Sequence, residues 1–298
     1  MKTGLQIDSF TWPGGPAQVG PTLARIARAA DDVGFDSIWV MDHFFQIRGV
    51  GRAEEPMLEG MTALGFIAAN TTRARIGLLV GGVHYRLPGL WLKATTTLDV
   101  LSGGRAWFGI GAAWNRQESE GLGFPFPPLG IRFEMLEETL QFAHGMFDGE
   151  AGSGDELRGR HVTATRLLNS PQSLSRPRVP IMVGGGGERK TLRLVARYAD
   201  ACNVFGGPGV LHHKYAVLRD HCAAVGRPYE EIERSTLQSV RISPADDVGS
   251  ESPAGVVERF GELADAGAQH VIFSVRDLWN PAVLERIGRD VLPQLRGL

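Results

Sequence analysis

The stretch from Arg75 to Gly111, RIGLLVGGVHYRLPGLWLKATTTLDVLSGGRAWFGIG, carries the pattern that decides the fold. Arg75 to Val83 is a nearly continuous apolar run, the signature of a strand covered on both faces. Leu90, Ala94, Leu98 and Leu101 then fall on one helix face, Ser102-Gly103-Gly104 turns the chain, and Arg105 to Gly111 is a second apolar run. Strand, helix, turn and strand with no polar face left over is a parallel βαβ unit.

The same alternation extends in both directions. Lys2 to Phe10 and Asp36 to His43 read as the first two strands, with a helix from Leu23 to Val33 between them and another from Leu58 to Ala69 after them. Downstream, Phe133, Leu136, Leu140, Ala143 and Phe147 form the stripe of a fourth helix. Strands follow at Val179 to Gly184, Asp200 to Phe205, Ser235 to Ile242 and Gln269 to Val275. Each is succeeded by an apolar helical stripe: Leu192 to Ala199, Leu211 to Val225, Val256 to Leu263 and Val283 to Leu295. Eight β/α units predict a (β/α)8 TIM barrel, since an open doubly wound sheet usually has fewer. Residues 1–298 form one domain in this reading. The Gly-, Ser-, Arg- and Pro-rich segment 148–178 is an insertion between helix four and strand five.

Composition narrows the partners. With 31 Lys and Arg against 33 Asp and Glu, the net charge of −2 offers no basic field for nucleic acid. No apolar run approaches the ~20 residues of a membrane helix, and Met1 to Leu5 has no apolar signal core, so a cytoplasmic protein is expected. Cys202 and Cys222 have no Cys or His neighbour at ligand spacing, so neither a disulfide framework nor a metal site is expected. Glycine is the outlier: 39 residues, about 13% against a usual ~7%, placed between ordered segments. These glycines therefore mark sharp turns and close backbone approaches.

In a barrel of this kind chemistry belongs to the loops after the strands. A metal-hydrolase barrel needs His-x-His after strand one, where this chain has Gln6-Ile7-Asp8; glycosidase chemistry needs facing carboxylates, and strand four ends without any. Gly109 to Trp114 lacks the third glycine of a dinucleotide fingerprint, and Gly184 to Thr191 has Arg189 where a P-loop needs glycine. Both loops nevertheless expose backbone N–H groups where a strand meets a helix, so they either cradle one phosphate between them or simply make tight turns. Asp42-His43 closes strand two, with one side chain facing the mouth and the other bracing a loop. His43 suits proton transfer near neutral pH, the alternative being a structural histidine on a loop carbonyl. The mouth residues Phe10, Phe44, His84, Tyr85 and Trp114 are the substrate-pocket candidates, and the apolar ones among the mouth residues, Phe10, Phe44, Val83, Tyr85 and Trp114, point to a small, largely neutral organic molecule.

The segments Asp36 to Phe44, Arg75 to Pro88, Thr97 to Arg105, Gly109 to Asn115 and Pro180 to Arg189 together resemble the bacterial-luciferase-like flavin and deazaflavin oxidoreductases, in the branch that uses coenzyme F420, an 8-hydroxy-5-deazaflavin. The resemblance implies the same barrel and an F420-dependent oxidoreductase moving a hydride between C5 of the deazaflavin and a small organic substrate. It implies cofactor contacts at Gly109, Gly111, Ala112, Ala113 and Asn115, at Gly184, Gly185, Gly186 and Gly187, and at a strand-three bulge formed by Leu79, Val80 and Gly81, with a cis peptide at Leu79-Val80. It assigns Asp42 to orientation and His43 to holding or moving a proton, and the coenzyme's anionic tail is expected along a basic rim at Arg189 and Lys190, the alternative for either being a solvated helix charge. Sugar-phosphate-oxidising members carry a Glu in the strand-four loop where this chain has Trp114. The competing readings are an FMN-dependent monooxygenase fed by a separate reductase and a non-catalytic flavin-binding partner subunit. A homodimer is the assembly common among such relatives.

Overall fold

The computed structural model describes residues 1–245 and 247–298. The strands run in chain order as β1 (Lys2–Ile7), β2 (Ser37–Val40), β3 (Arg75–Leu78), β4 (Gly81–Gly82) and β5 (Ala106–Gly111). After them come β6 (Leu157–Arg158) and β7 (Thr163–Ala164), then β8 (Ile181–Gly184), β9 (Ala201–Asn203), β10 (Glu233–Val240) and β11 (His270–Val275). β1 pairs in parallel with both β2 and β11, and β3 with both β2 and β5, so the sheet closes on itself. β3 and β4 are two halves of one stave, which makes eight staves in all. Register is set by apolar partners: Leu5 lies beside Ile38 on one side and Phe273 on the other.

The helices around the barrel are α1 (Pro16–Val33), α2 (Gly60–Ala69), α3 (Pro88–Leu101), α4 (Arg116–Gly121), α5 (Leu129–Phe147), α6 (Thr191–Tyr198), α7 (Pro208–Val225), α8 (Pro253–Asp265), α9 (Pro281–Asp290) and α10 (Leu292–Leu295). Proline at the first turn of α1, α3, α7, α8 and α9 places a residue without an N–H where helices leave that donor unpaired. Segment 148–178 lies between α5 and β8, where it carries the antiparallel hairpin β6–β7. Among the described residues no helix is long and apolar enough to cross a membrane.

The third strand breaks at Leu79-Val80, whose peptide is cis, as the resemblance implied. Two features depart from the sequence pattern. β1 and β2 end before Phe10 and His43, because Asp8, Asp42 and His43 leave the ladder to form the mouth. The short helix α4 has no counterpart in the pattern, since six polar residues carry no apolar period.

A buried polar chain closes the opposite end of the barrel. Trp39 Nε1 donates to Ser37 Oγ at 2.7 Å, Ser37 Oγ lies 3.0 Å from His270 Nε2, and His270 Nδ1 lies 2.8 Å from Glu233 Oε1. Lys2 Nζ reaches the other Glu233 oxygen at 2.6 Å. Burial alone would raise the Glu233 carboxyl, but His270 and then Lys2 outweigh it and bring it down to about 2. A depressed carboxylate stabilises the fold above its unfolded value and loses that contribution as pH falls toward the folded one. Glu233 should therefore contribute up to about 3 kcal/mol. In urea unfolding, the stability of the unmodified chain should fall from about pH 5 to about pH 2 by more than that of E233Q, and equal slopes would remove Glu233 from the acid response.

Candidate active site

A cavity of about 660 Å3 opens at the C-terminal ends of the staves. Its floor is Gln6 and Leu237, one wall is the bulge Leu79 to Gly82, and the next is formed by Gly111 to Trp114 and Gly184 to Gly187. The bulge and both loops approach so closely that side chains are excluded. A Cβ at Gly184 would stand 2.5 Å from Val80 Cγ2, and one at Gly111 would stand 3.0 Å from the same atom.

The backbone of the two loops is held from behind. Arg132 on α5 donates to the carbonyls of Ala112 at 3.0 Å and Ala113 at 2.7 Å. Ala113 is kept at φ +58°, a left-handed conformation that costs a non-glycine residue about 1 kcal/mol or more. In the glycine loop the Gly185 N–H donates to Asn203 O at 2.9 Å, and Gly185 itself has φ +118°. Among the described residues nothing accepts from the N–H of Gly186 or Gly187, so these are the amides left for a ligand.

His43 lines the cavity, and its Nδ1 is 2.6 Å from Glu118 Oε1. Glu118, fully buried on α4, also accepts from Tyr85 Oη at 2.5 Å and from the N–H groups of Phe44 at 2.7 Å and Phe45 at 3.1 Å. Burial would raise its carboxyl, yet the His43, Tyr85 and Phe45 hydrogen bonds and the charge of His43 hold it below the ordinary value. An ionised carboxylate only accepts, so His43 Nδ1 carries the hydrogen and Nε2 is the nitrogen left for the cavity. Burial first, and Glu118 second, push the Tyr85 hydroxyl far up, which keeps it a donor.

Asp42 also borders the cavity, but its oxygens are engaged. Arg86 grips it at 2.7 and 2.8 Å, the Gly82 N–H donates at 3.0 Å, and Arg86 continues to Glu59. The pair divides its roles just beyond β2: His43 presents its ring to the mouth, and Asp42 ties this chain segment to the bulge.

Several residues read as site candidates stand elsewhere. Phe10 is 2% exposed and packs edge-on against Trp12, inside the core. The Phe44 ring turns away against Tyr85 and Phe124, at centroid distances of 5.1 and 4.9 Å. His84 is buried with Nε2 2.8 Å from Ser119 Oγ, and burial, aided by the charge of Arg132, pushes it down to about 4, so it stays neutral. Gly109 lies under the bulge within β5, where a Cβ would meet Leu78 O at 2.0 Å. Asn115 caps α4, its side chain accepting from the Gln117 N–H at 3.2 Å. Arg189 is exposed outside the cavity, and Lys190 lies over the Phe133 ring at 5.3 Å. The remaining candidates, from Leu79, Val80 and Gly81 to Gly111, Ala112, Ala113, Trp114, Tyr85 and Gly184 to Gly187, do line the cavity. No sequence pattern singles out Arg132, and the one local signal for Glu118 is its Asn-x-x-Glu spacing from Asn115, which suggests a capping box and not a partner for His43.

Removing Glu118 would strand four donors at once. Glu118→Ala should therefore lower unfolding stability by about 3 kcal/mol or more, against about 1 kcal/mol for Tyr85→Phe, which removes a single bond. Equal losses in urea melts would show that the network is not shared through Glu118.

Comparison with known proteins agrees with the geometry. The luciferase-like monooxygenase profile matches residues 1–252. An F420-dependent glucose-6-phosphate dehydrogenase of Nakamurella multipartita is 26% identical over 341 aligned positions, covering 97% of each chain. The enzyme of the same name from Amycolatopsis mediterranei is 25% identical over 94% of this chain and 96% of its own. The coenzyme F420-dependent tetrahydromethanopterin reductase of Methanopyrus kandleri superposes with a TM-score of 0.79 at 17% identity, over 99% of both chains. An F420-dependent secondary alcohol dehydrogenase superposes at 0.80 with 16% identity, over 99% of this chain and 100% of its own. With the profile spanning most of its length and the barrel shared throughout, the chain belongs to the luciferase-like monooxygenase family.

Proposed function

We propose that the protein is a coenzyme F420-dependent oxidoreductase acting on a small organic substrate. The observation that carries this reading is a backbone-walled cradle, bounded by the bulge and the two loops, with the free nitrogen of His43 on the same cavity. The relatives named for F420 support the choice of coenzyme. The residues present suit a phosphate-bearing tricyclic ring: the cavity volume of about 660 Å3 lies within the range of cofactor sites, and the glycine positions leave room where any Cβ would intrude.

When bound, the deazaflavin supplies a ring carbon that accepts or gives a hydride. The chain's own part is binding, orientation and proton handling. Gly186 and Gly187 would hold the phosphate through their free N–H groups, and Leu79 and Val80 would back the ring. Trp114 is 61% exposed with its ring edge-on to His43 at 5.4 Å, where it covers the mouth and limits water. An alcohol that gives up a hydride must also release its hydroxyl proton, and His43 Nε2 is placed to take it. Glu118 keeps the imidazole in the required tautomer and stabilises the cation formed on protonation. Asp42 and Arg86 fix the strand end from which His43 projects. The proposal does not extend to glucose 6-phosphate, because Gly109 to Asn115 carries no carboxylate.

Titrating the protein with F420 and separately with FMN should give micromolar binding of F420, seen as a change in its fluorescence. Micromolar binding of FMN alone overturns the coenzyme assignment in favour of an FMN-dependent monooxygenase. His43→Ala should keep F420 affinity within about threefold while turnover of a panel of secondary alcohols, followed at the F420 absorbance, falls at least about tenfold. Unchanged turnover removes His43 from the reaction, and turnover absent from both proteins favours a non-catalytic binding subunit.

A further inference from the structure

The reaction cavity does not end at the barrel axis. Beside it lies a second cavity of about 610 Å3, and the two share Asp8, Val50, Ser239 and Ser274 as lining. Asp8 follows β1, Ser239 lies on β10 and Ser274 on β11, which are three adjacent staves. In the closed order of the barrel they face the staves that carry the bulge and the glycine loops. A molecule seated between the two walls meets His43 from β2's end and Asp8 from its neighbour. Nothing in the proton handling described above uses Asp8.

The chemistry of this edge is specific. Ser274 Oγ lies 3.4 Å from Ser239 Oγ, and with Asp8 the two hydroxyls form a polar row along the edge that both cavities share. Burial raises the Asp8 carboxyl above its ordinary value, offset in part by Ser274 and by its own backbone, and no cation contributes. Among the described residues none of the charged groups around it forms an ion pair with Asp8. On the reaction side Asp42 is held by Arg86, and His43 by Glu118. On the annex side Glu251 is held by Arg259 at 2.8 Å, while Arg241, Arg276 and Asp277 line the annex without an ion pair to Asp8. A second anion brought to this edge meets a carboxylate in a partly dry site, whereas a neutral donor or acceptor completes the row.

We infer that Asp8 is a specificity-determining residue: with Ser274 and Ser239 it admits neutral molecules bearing a hydroxyl, carbonyl or amide group at this edge and rejects molecules that present a carboxylate there. The inference rests on the proposed function only in calling the bound molecule a substrate. Binding itself is measurable on the full chain without cofactor.

The probes are benzamide and benzoate, which share a shape and differ in charge, followed by ligand-observed NMR titration at about pH 8 and about pH 5. The unmodified chain should take benzamide at least about tenfold more tightly than benzoate at the higher pH. The ratio should shrink at the lower pH, because burial makes the Asp8 carboxyl take up its proton more readily than an ordinary aspartate, and each protonated copy loses its repulsion toward benzoate. Asp8→Asn, uncharged and of the same shape, should bring the ratio near one at both pH values, and Ser274→Ala should keep the preference for the neutral probe. A ratio near one in the unmodified chain, a ratio that D8N leaves unchanged, or uptake of neither probe overturns the inference. The pH comparison on the unmodified chain decides the matter even where D8N fails to fold. F420 titration of the same samples separates the two readings: loss of F420 binding with the probe ratio intact overturns the coenzyme assignment and leaves the role of Asp8 standing.

Discussion

A Cβ at Gly109 would stand 2.0 Å from the Leu78 carbonyl oxygen, and one at Gly184 would stand 2.5 Å from Val80. At this level the third stave leans across its neighbours, and only glycine lets β5 and β8 remain paired beneath it. The site depends on that close approach. It brings the bulge, the loop after β5 and the loop after β8 around one volume, and it leaves the wall made of backbone and not side chains. Elsewhere the barrel is an ordinary packed core, with Leu5, Ile38, Phe108 and Phe273 at or near zero exposure.

The second constraint is a single buried carboxylate. Glu118 gathers the His43 ring, the Tyr85 hydroxyl and the N–H groups of Phe44 and Phe45, so one residue of a six-residue helix ties together the loops after β2 and β4. Its burial would be unfavourable without those donors, and the donors would be stranded without it. Arg132 acts in the same manner from α5, holding two loop carbonyls while its guanidinium stacks on Phe126 at 4.1 Å. The mouth is thus a set of short backbone segments pinned by two charged side chains that reach in from the helical ring.

Much of the fold was legible in the amino-acid order. The eight apolar runs and the helical stripes between them report burial on both faces, a local property that the barrel merely satisfies. Most of the cavity-lining residues also stood in readable places, because strand ends and glycine runs locate the mouth of any such barrel. Side-chain direction was less legible. Phe10, Phe44 and His84 sit at strand ends as expected, yet each ring turns into a packed cluster, since a large aromatic group gains more from burial against neighbours than from facing an open mouth. Gly109 and Asn115 likewise serve the bulge and a helix cap.

The sequence by itself determined the alternation of strands and helices, the two glycine loops and the Asp42-His43 pair, because each is a short-range pattern of hydrophobicity or backbone freedom. Only the tertiary structure decided which amides of the glycine loop stay free, which nitrogen of His43 meets the cavity, and that Asp8 joins two chambers. Those outcomes depend on groups far apart in the chain: Gly185 answers to Asn203 and His43 to Glu118, while Asp8 shares its cavity edge with Ser239 and Ser274 from adjacent staves. No local period records such pairings, since closing the barrel is what brings their partners within hydrogen-bond reach.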